Sequence, residues 1–210
     1  MGKRERGFFV SFEGIDGSGK STQILRLRDN LVREGFSVVL VREPGGTSLG
    51  ERIRPILLDK SSVGMCMETE LLLFEAARAQ IVHEVISPAL QDGKIVLCDR
   101  FFDATVAYQG YGRGLPIERI EWLNRFAAQT LEPDITFLLD IPEDVALARR
   151  EGRGKEDRME AEGRSFLKRV REGYLALPLS RKNIVVMDAR LSEEELEREI
   201  KKKFVEVADI

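Results

Sequence analysis

Gly14-Ile15-Asp16-Gly17-Ser18-Gly19-Lys20-Ser21 decides how this chain folds. The apolar run Phe8-Phe9-Val10-Ser11-Phe12 precedes it and reads as a buried strand. Thr22 to Val32 follows, with Ile24, Leu25, Leu27 and Leu31 at helical spacing. Strand, Gly-x-x-x-x-Gly-Lys-Ser and helix are the context of a phosphate-binding loop. Glycines let backbone N–H groups turn inward and approach phosphates without a Cβ clash. The helix N-terminus adds unpaired donors and the positive end of a dipole. In that reading Gly14, Ile15, Asp16, Gly17, Ser18, Gly19, Lys20, Ser21 and Thr22 hold a nucleotide's phosphates. Lys20 reaches the β- and γ-phosphates, and the Ser21 hydroxyl is offered to Mg²⁺.

Working outward, four further apolar runs recur between helical patterns: Val38 to Val41, Ile95 to Cys98, Ile135 to Leu139 and Ile184 to Met187. None alternates cleanly, as expected of strands buried on both faces. Helical segments separate them, so the chain is α/β with a mainly parallel sheet and right-handed crossovers. No repeat, low-complexity tract or long linker divides it, so residues 1–210 are expected to form one domain. Ser192 and Glu195 stand in capping-box spacing before a charged C-terminal helix.

Composition sets bounds. The 210 residues are 43% hydrophobic and 33% charged, an ordinary globular balance. A formal charge of −3 carries no global nucleic-acid signature. No stretch approaches the roughly twenty apolar residues that span a bilayer. The start, Met1-Gly2-Lys3-Arg4-Glu5-Arg6, is charged and runs into the first strand, unlike a secretory leader. Cys66 and Cys98 lack metal-type spacing. The expected setting is the reducing cytoplasm.

Ligands of open parallel sheets sit beyond the carboxyl ends of the strands. There the sequence places Glu13-Gly14, Arg42-Glu43-Pro44-Gly45-Gly46-Thr47 and Cys98-Asp99-Arg100. Asp99 suits Mg²⁺ binding beside a phosphate loop, or caps the next helix. Arg100 could fork onto a phosphate, or form a surface ion pair. Phe74 and Arg78 are four residues apart in a helical segment from Glu68 to Gln91, so they share a face. They could stack on and hydrogen-bond a planar base, although spacing alone favours a core phenylalanine with a snorkelling arginine. Arg149, Arg150, Arg153, Lys155 and Arg158 crowd around Gly152 and Gly154. A basic lid over a triphosphate, about residues 149–159, and a solvated charged helix are equally consistent with that composition. His83, the single histidine, reads as structural. Trp122 and Phe126 share a helical face and read as core or as a subunit contact.

Four blocks together resemble thymidylate kinase: Phe12-Glu13-Gly14 through Gln23, Arg42-Glu43-Pro44-Gly45-Gly46-Thr47, Asp99-Arg100-Phe101 and Ala107-Tyr108-Gln109-Gly110-Tyr111. The likeness spans nearly the whole chain. It implies a P-loop nucleotide-kinase fold, three-layer α/β/α with a five-stranded parallel sheet, a lid and usually a homodimer. It implies ATP- and Mg²⁺-dependent phosphorylation of dTMP to dTDP. By resemblance, Phe74 stacks on thymine and Arg78 contacts a thymine carbonyl. Arg54 and Arg100 hold the acceptor phosphate, with Glu43 nearby, and Thr105 and Gln109 meet the base edge. Tyr108 crowds the sugar C2′, and Asp16 approaches the 3′-hydroxyl. Positions 15–18 carry no arginine. That matches the bacterial subtype whose catalytic arginines lie in the lid, with Arg153 first and Arg149 and Arg158 as further candidates. Family members commonly carry tyrosine or histidine where this chain has Phe101.

Two rivals stand beside this reading. A deoxynucleoside kinase would need a carboxylate base, for which Glu13, Asp16 or Glu43 could serve. A P-loop ATPase switch would leave the Arg-Glu-Pro-Gly-Gly block without a role.

Overall fold

A computed structural model describes residues 6–151 and 157–209. Five strands, β1 (Phe8–Glu13), β2 (Val38–Arg42), β3 (Ile95–Asp99), β4 (Ile135–Asp140) and β5 (Ile184–Asp188), form one sheet in the order β2-β3-β1-β4-β5. Every pairing is parallel. Each strand runs one residue beyond its apolar run, and that residue is charged: Glu13, Arg42, Asp99, Asp140 and Asp188. The backbone ladder thus carries the first polar side chain of each carboxyl end to the rim.

Burial on both faces holds for β1, β3 and β4 only. The edge strands β2 and β5 are partly exposed, with Leu40 and Val186 open to solvent, because an edge has one neighbour and incomplete helical cover.

Helices α1 (Lys20–Arg33), α2 (Ser48–Leu58) and α3 (Met67–Ile81) follow β1 and β2. Helix α3 continues through a π turn, Val82–Ile86, into α4 (Ser87–Gln91). Pro88 supplies no N–H and crowds the carbonyl four residues back, and a wider turn just before it absorbs both problems. After β3 come α5 (Phe102–Thr105), a second π segment Val106–Gly112, and α6 (Ile117–Ala127). Helices α7 (Glu143–Arg150), α8 (Arg164–Ala176) and α9 (Glu193–Ala208) complete the chain. Ser192 and Glu195 cap α9 reciprocally, as their spacing predicts.

The pleat of β1 divides the core. Phe8, Val10 and Phe12 face the apolar layer that includes Leu27, Leu31 and Phe204, while Phe9 packs with Ile81, Val96 and Phe101. Register aligns Phe12 with Asp99, and Asp99 with Arg42. The carboxyl ends of β1, β2 and β3 therefore meet at one edge. Connections from β1 leave toward β3 and β2 on one side and toward β4 and β5 on the other, and this switch in strand order opens the crevice where such sheets bind ligands.

Candidate active site

The loop after β1 is shaped by its glycines. Gly17 has φ 93°, and a Cβ there would stand 2.4 Å from the carbonyl oxygen of Ala146. Gly19, at φ 91°, enters α1 with no side-chain cap. The first-turn N–H groups of α1 thus keep the capacity to bind an anion. Lys20 is buried and donates to the carbonyls of Gly14 (2.9 Å) and Ile15 (3.1 Å). Ser21 Oγ donates to Asp99 Oδ2 at 3.0 Å, so the hydroxyl and carboxylate expected at a metal are adjacent. Buried Ser18 Oγ has no partner among the described residues.

Two cavities flank this loop on the β3 side. The larger, about 840 Å³, runs from Gly19 and Ser21 past Asp99 to Arg150. The smaller, about 110 Å³, is walled by Phe74, Arg78, Thr105, Tyr108 and Gln109. Asp16, Glu43, Arg54, Arg100 and Asp157 line both. A third cavity, about 380 Å³, opens behind Gly17 and Thr22 and reaches Arg149 and Arg190.

Arg100 stands at the shared wall with φ 69°, a left-handed conformation unusual for a non-glycine residue. Its neighbours hold it there. Arg100 N donates to Phe12 O (3.0 Å), and the next amide, Phe101 N, donates to Glu13 Oε1 (2.6 Å). The guanidinium donates to Asp16 Oδ1 (2.6 Å), Tyr108 Oη (3.1 Å) and Tyr174 Oη (3.0 Å). Burial works against an ionised Asp16, but the charges of Arg100 and Lys20 outweigh it and hold its carboxyl well below the usual range. Tyr108 also donates to Asp16 Oδ2 at 3.2 Å.

Arg78 is 1% exposed yet lines the smaller cavity, so it is at once core and site. All five of its N–H groups have protein partners. Nε donates to Glu43 (2.8 Å), Nη1 to Glu75 (2.7 Å) and Asn124 (2.8 Å), and Nη2 to Thr105 (2.9 Å) and the Phe101 carbonyl (3.3 Å). Burial pushes the Glu43 carboxyl up to about 7 despite Arg78, and buried Glu43 Oε1 has no partner among the described residues. Arg54 differs: it donates to Pro44 O (2.6 Å), and no carboxylate among the described residues pairs with it. The Phe101 ring is buried against Phe9 and lies 5.5 Å from the Arg78 guanidinium, so it supports the site by packing while its backbone amide and carbonyl hold Glu13 and Arg78.

The basic segment divides. Arg149 donates to Ala189 O (2.9 Å) and lines the third cavity. Arg158 donates to Leu57 O (2.7 Å) and pairs with Glu70 (2.6 Å), and it lines neither of the two cavities that share a wall. Arg150 does line the larger cavity. Arg153 and Lys155 lie outside the described residues. His83 is exposed, and so are Trp122 and Phe126, at 66% and 72%, which excludes the core reading of the aromatic pair.

Sequence reasoning named Glu13 only as a strand end and a candidate base, and it missed other residues that hold the site. Glu13 is fully buried, accepting from Phe101 N and from Tyr174 Oη (2.9 Å), so it anchors Arg100 and is spent as a base. Glu70, Glu75, Asn124 and Tyr174 act from behind the cavity wall. A charged residue in an apolar helical stripe, such as Glu75 beside Arg78, was the available signal.

Comparison with known proteins agrees with this geometry. The family described as Thymidylate kinase matches residues 12–200. A thymidylate kinase of Kosmotoga olearia is 50% identical over 94% of this chain and 95% of its own. One of Fervidobacterium nodosum is 49% identical over 93% and 98%, and one of Ectopseudomonas mendocina 55% over 80% of each. With the phosphate loop, the paired cavities and matches over most of its length, the chain belongs to the thymidylate kinase family.

Proposed function

We propose that the chain transfers the γ-phosphoryl group of ATP to dTMP. A phosphate oxygen of dTMP forms the new bond to the γ-phosphorus, the bond to the β–γ bridging oxygen breaks, and dTDP and ADP leave. Family membership, together with two cavities that share a wall bearing Arg54 and Arg100, carries this reading. The smaller cavity suits the nucleoside, with Phe74 for stacking and Thr105 and Gln109 at the base edge. The larger suits the triphosphate, and the third suits the donor base beside Arg149.

The acceptor's second pKa is about 6, so at neutral pH its phosphate is already largely dianionic. No general base is required. The task is to bring two polyanions into line. Lys20 would exchange the loop carbonyls for β- and γ-oxygens. Arg54, which makes no ion pair among the described residues, and Arg100 would clamp the acceptor phosphate. Asp16 and Tyr108 would fix Arg100 and the sugar. To contact a thymine carbonyl, Arg78 would give up its longest bond, to Phe101 O. Charge relief at the transferring group falls to the segment of about residues 149–159, with Arg150 beside the cavity and Arg153 the first candidate by sequence.

The donor set fits Mg²⁺: one hydroxyl, one nearby carboxylate and room for phosphate oxygens and water. Ser21 and Asp99 would hold it, and no cluster of three His, Cys, Asp or Glu side chains among the described residues offers an all-protein cage. Bound there, the ion would neutralise charge on the β- and γ-phosphates.

A coupled assay with ATP and Mg²⁺ across thymidine and the nucleoside monophosphates tests the activity. Turnover of dTMP but not thymidine is expected, and preference for thymidine would favour an alcohol acceptor. The reading also includes a homodimer. Trp122 and Phe126 stack at 5.8 Å in the open on α6, and a second copy would cover them. Light scattering should give a dimer that Trp122→Ala/Phe126→Ala weakens. No helix among the described residues is long and apolar enough to cross a membrane. One folded unit in the reducing cytoplasm is the matching assignment.

A further inference from the structure

Glu70 stands on α3 one turn before Phe74 and is 1% exposed. Both of its oxygens are occupied. Oε1 accepts from the side-chain amide nitrogen of Gln109 (2.9 Å) and from Arg113 Nε (3.1 Å). Oε2 accepts from Arg113 Nη2 (3.0 Å) and pairs with Arg158 Nη1 (2.6 Å). Burial pushes this carboxyl's pKa up, but hydrogen bonds from Arg113 and Gln109 outweigh burial and hold it below its ordinary value.

An ionised carboxylate can only accept hydrogen bonds. Gln109 can therefore offer it only the NH₂ end of its amide. The amide oxygen then has no partner among the described residues, and Gln109 lines the smaller cavity. We propose that Glu70 is a positioning residue for base selection: it locks the Gln109 amide with its oxygen available to the nucleobase. The inference rests on the nucleoside reading of this cavity.

That orientation makes a chemical demand. Set opposite the pyrimidine ring nitrogen N3, that acceptor requires a proton there. Thymine carries one, whereas cytosine presents a lone pair there and would set acceptor against acceptor. Sites built to hydrogen-bond an N–H discriminate strongly against an analogue that lacks it. Replacing the Glu70 carboxylate by a neutral amide lets the Gln109 group turn over, because an amide in that place could donate as well as accept.

The test compares dTMP with dCMP as acceptors in the intact protein. In Glu70→Gln the kcat/KM preference for dTMP should fall at least tenfold, mostly through KM. Arg113→Gln removes two other donors from Glu70 but leaves the Gln109 contact, so its preference should stay within threefold of wild type. Glu70→Gln with an unchanged preference would overturn the proposal, as would Arg113→Gln with an equal loss. A second measurement needs no variant. The N3 proton of 5-bromo-dUMP ionises at lower pH than that of dTMP. Wild-type kcat/KM for 5-bromo-dUMP, relative to dTMP, should fall at least tenfold as pH rises through that ionisation. A flat ratio would overturn the amide orientation even if Glu70→Gln does not fold. Failure of wild type to phosphorylate dTMP at all would instead strike the activity on which the inference stands.

Discussion

The two cavities that share Asp16, Glu43, Arg54 and Arg100 are built on opposite principles. Behind the base side, the key charged groups are engaged by the protein itself: Arg78 has a partner for every N–H, and both oxygens of Glu70 are held by Gln109 and two arginines. On the phosphate side, binding capacity is left unspent. Lys20 rests on loop carbonyls, and among the described residues Ser18 Oγ has no partner, no side chain caps the start of α1, and Arg54 makes no ion pair. A rigid, satisfied wall selects a shape and a hydrogen-bond pattern. An unsatisfied one waits for a polyanion and changes most when it arrives.

The largest break in this contrast should come from the phosphate side. Positions 15–18 offer no basic side chain, and Arg149 and Arg158 are engaged away from the larger cavity. Arg153→Ala should therefore lower kcat about 10³-fold or more, with little change in nucleotide affinity. Single-turnover rates beside equilibrium binding would show it, and near-normal turnover would move the burden to Arg150. Next comes the base side, where damage should register as lost stability. Arg78→Met strips buried Glu43 and Glu75 of their shared cation, at a cost of about 3–5 kcal/mol. Urea midpoints measure this. Because burial already raises the pKa of both carboxyls, the cost should shrink in acid, where they can take up protons.

Legibility in sequence follows the same division. The loop, the strands and the charged strand ends announce themselves, because glycine spacing and apolar runs are local signals. Arg78 does not: α3 carries a charge inside an apolar stripe, and only long-range packing brings Glu43, Asn124 and Thr105 around it. Arg149 and Arg158 look alike in a basic run, yet Arg149, in the last turn of α7, lines the cavity behind the loop, whereas Arg158, beyond that helix, pairs with Glu70. Family resemblance supplied the pairing of Phe74 with Arg78 at a base, which spacing alone did not favour.

Glu43 sits where the two designs meet, and its titration is the third test. Its carboxyl holds a proton up to about pH 7 in the fold but releases it near 4.5 when unfolded. Between those values the folded protein binds the extra proton, so this residue's contribution to stability declines as pH rises, on the order of 3 kcal/mol in all. Glu43→Gln should remove that decline. Its stability relative to wild type should climb from pH 5 to pH 8 in chemical denaturation. A constant difference would mean that Arg78 keeps Glu43 ionised throughout.

The smallest expected effect separates charge from geometry at Arg54. Arg54→Lys keeps the cation but loses the planar fork that can meet two phosphate oxygens at once. If the shared wall works only by charge, KM for dTMP should scarcely move. If it positions the acceptor phosphate, KM for dTMP should rise about tenfold, roughly 1.4 kcal/mol, while KM for ATP stays within twofold. Burial already lowers the pKa of Arg54, and a dianion beside it would reverse that cost. The gain therefore belongs to the occupied site, and it should appear as tighter dTMP binding rather than as a higher melting temperature of the empty protein.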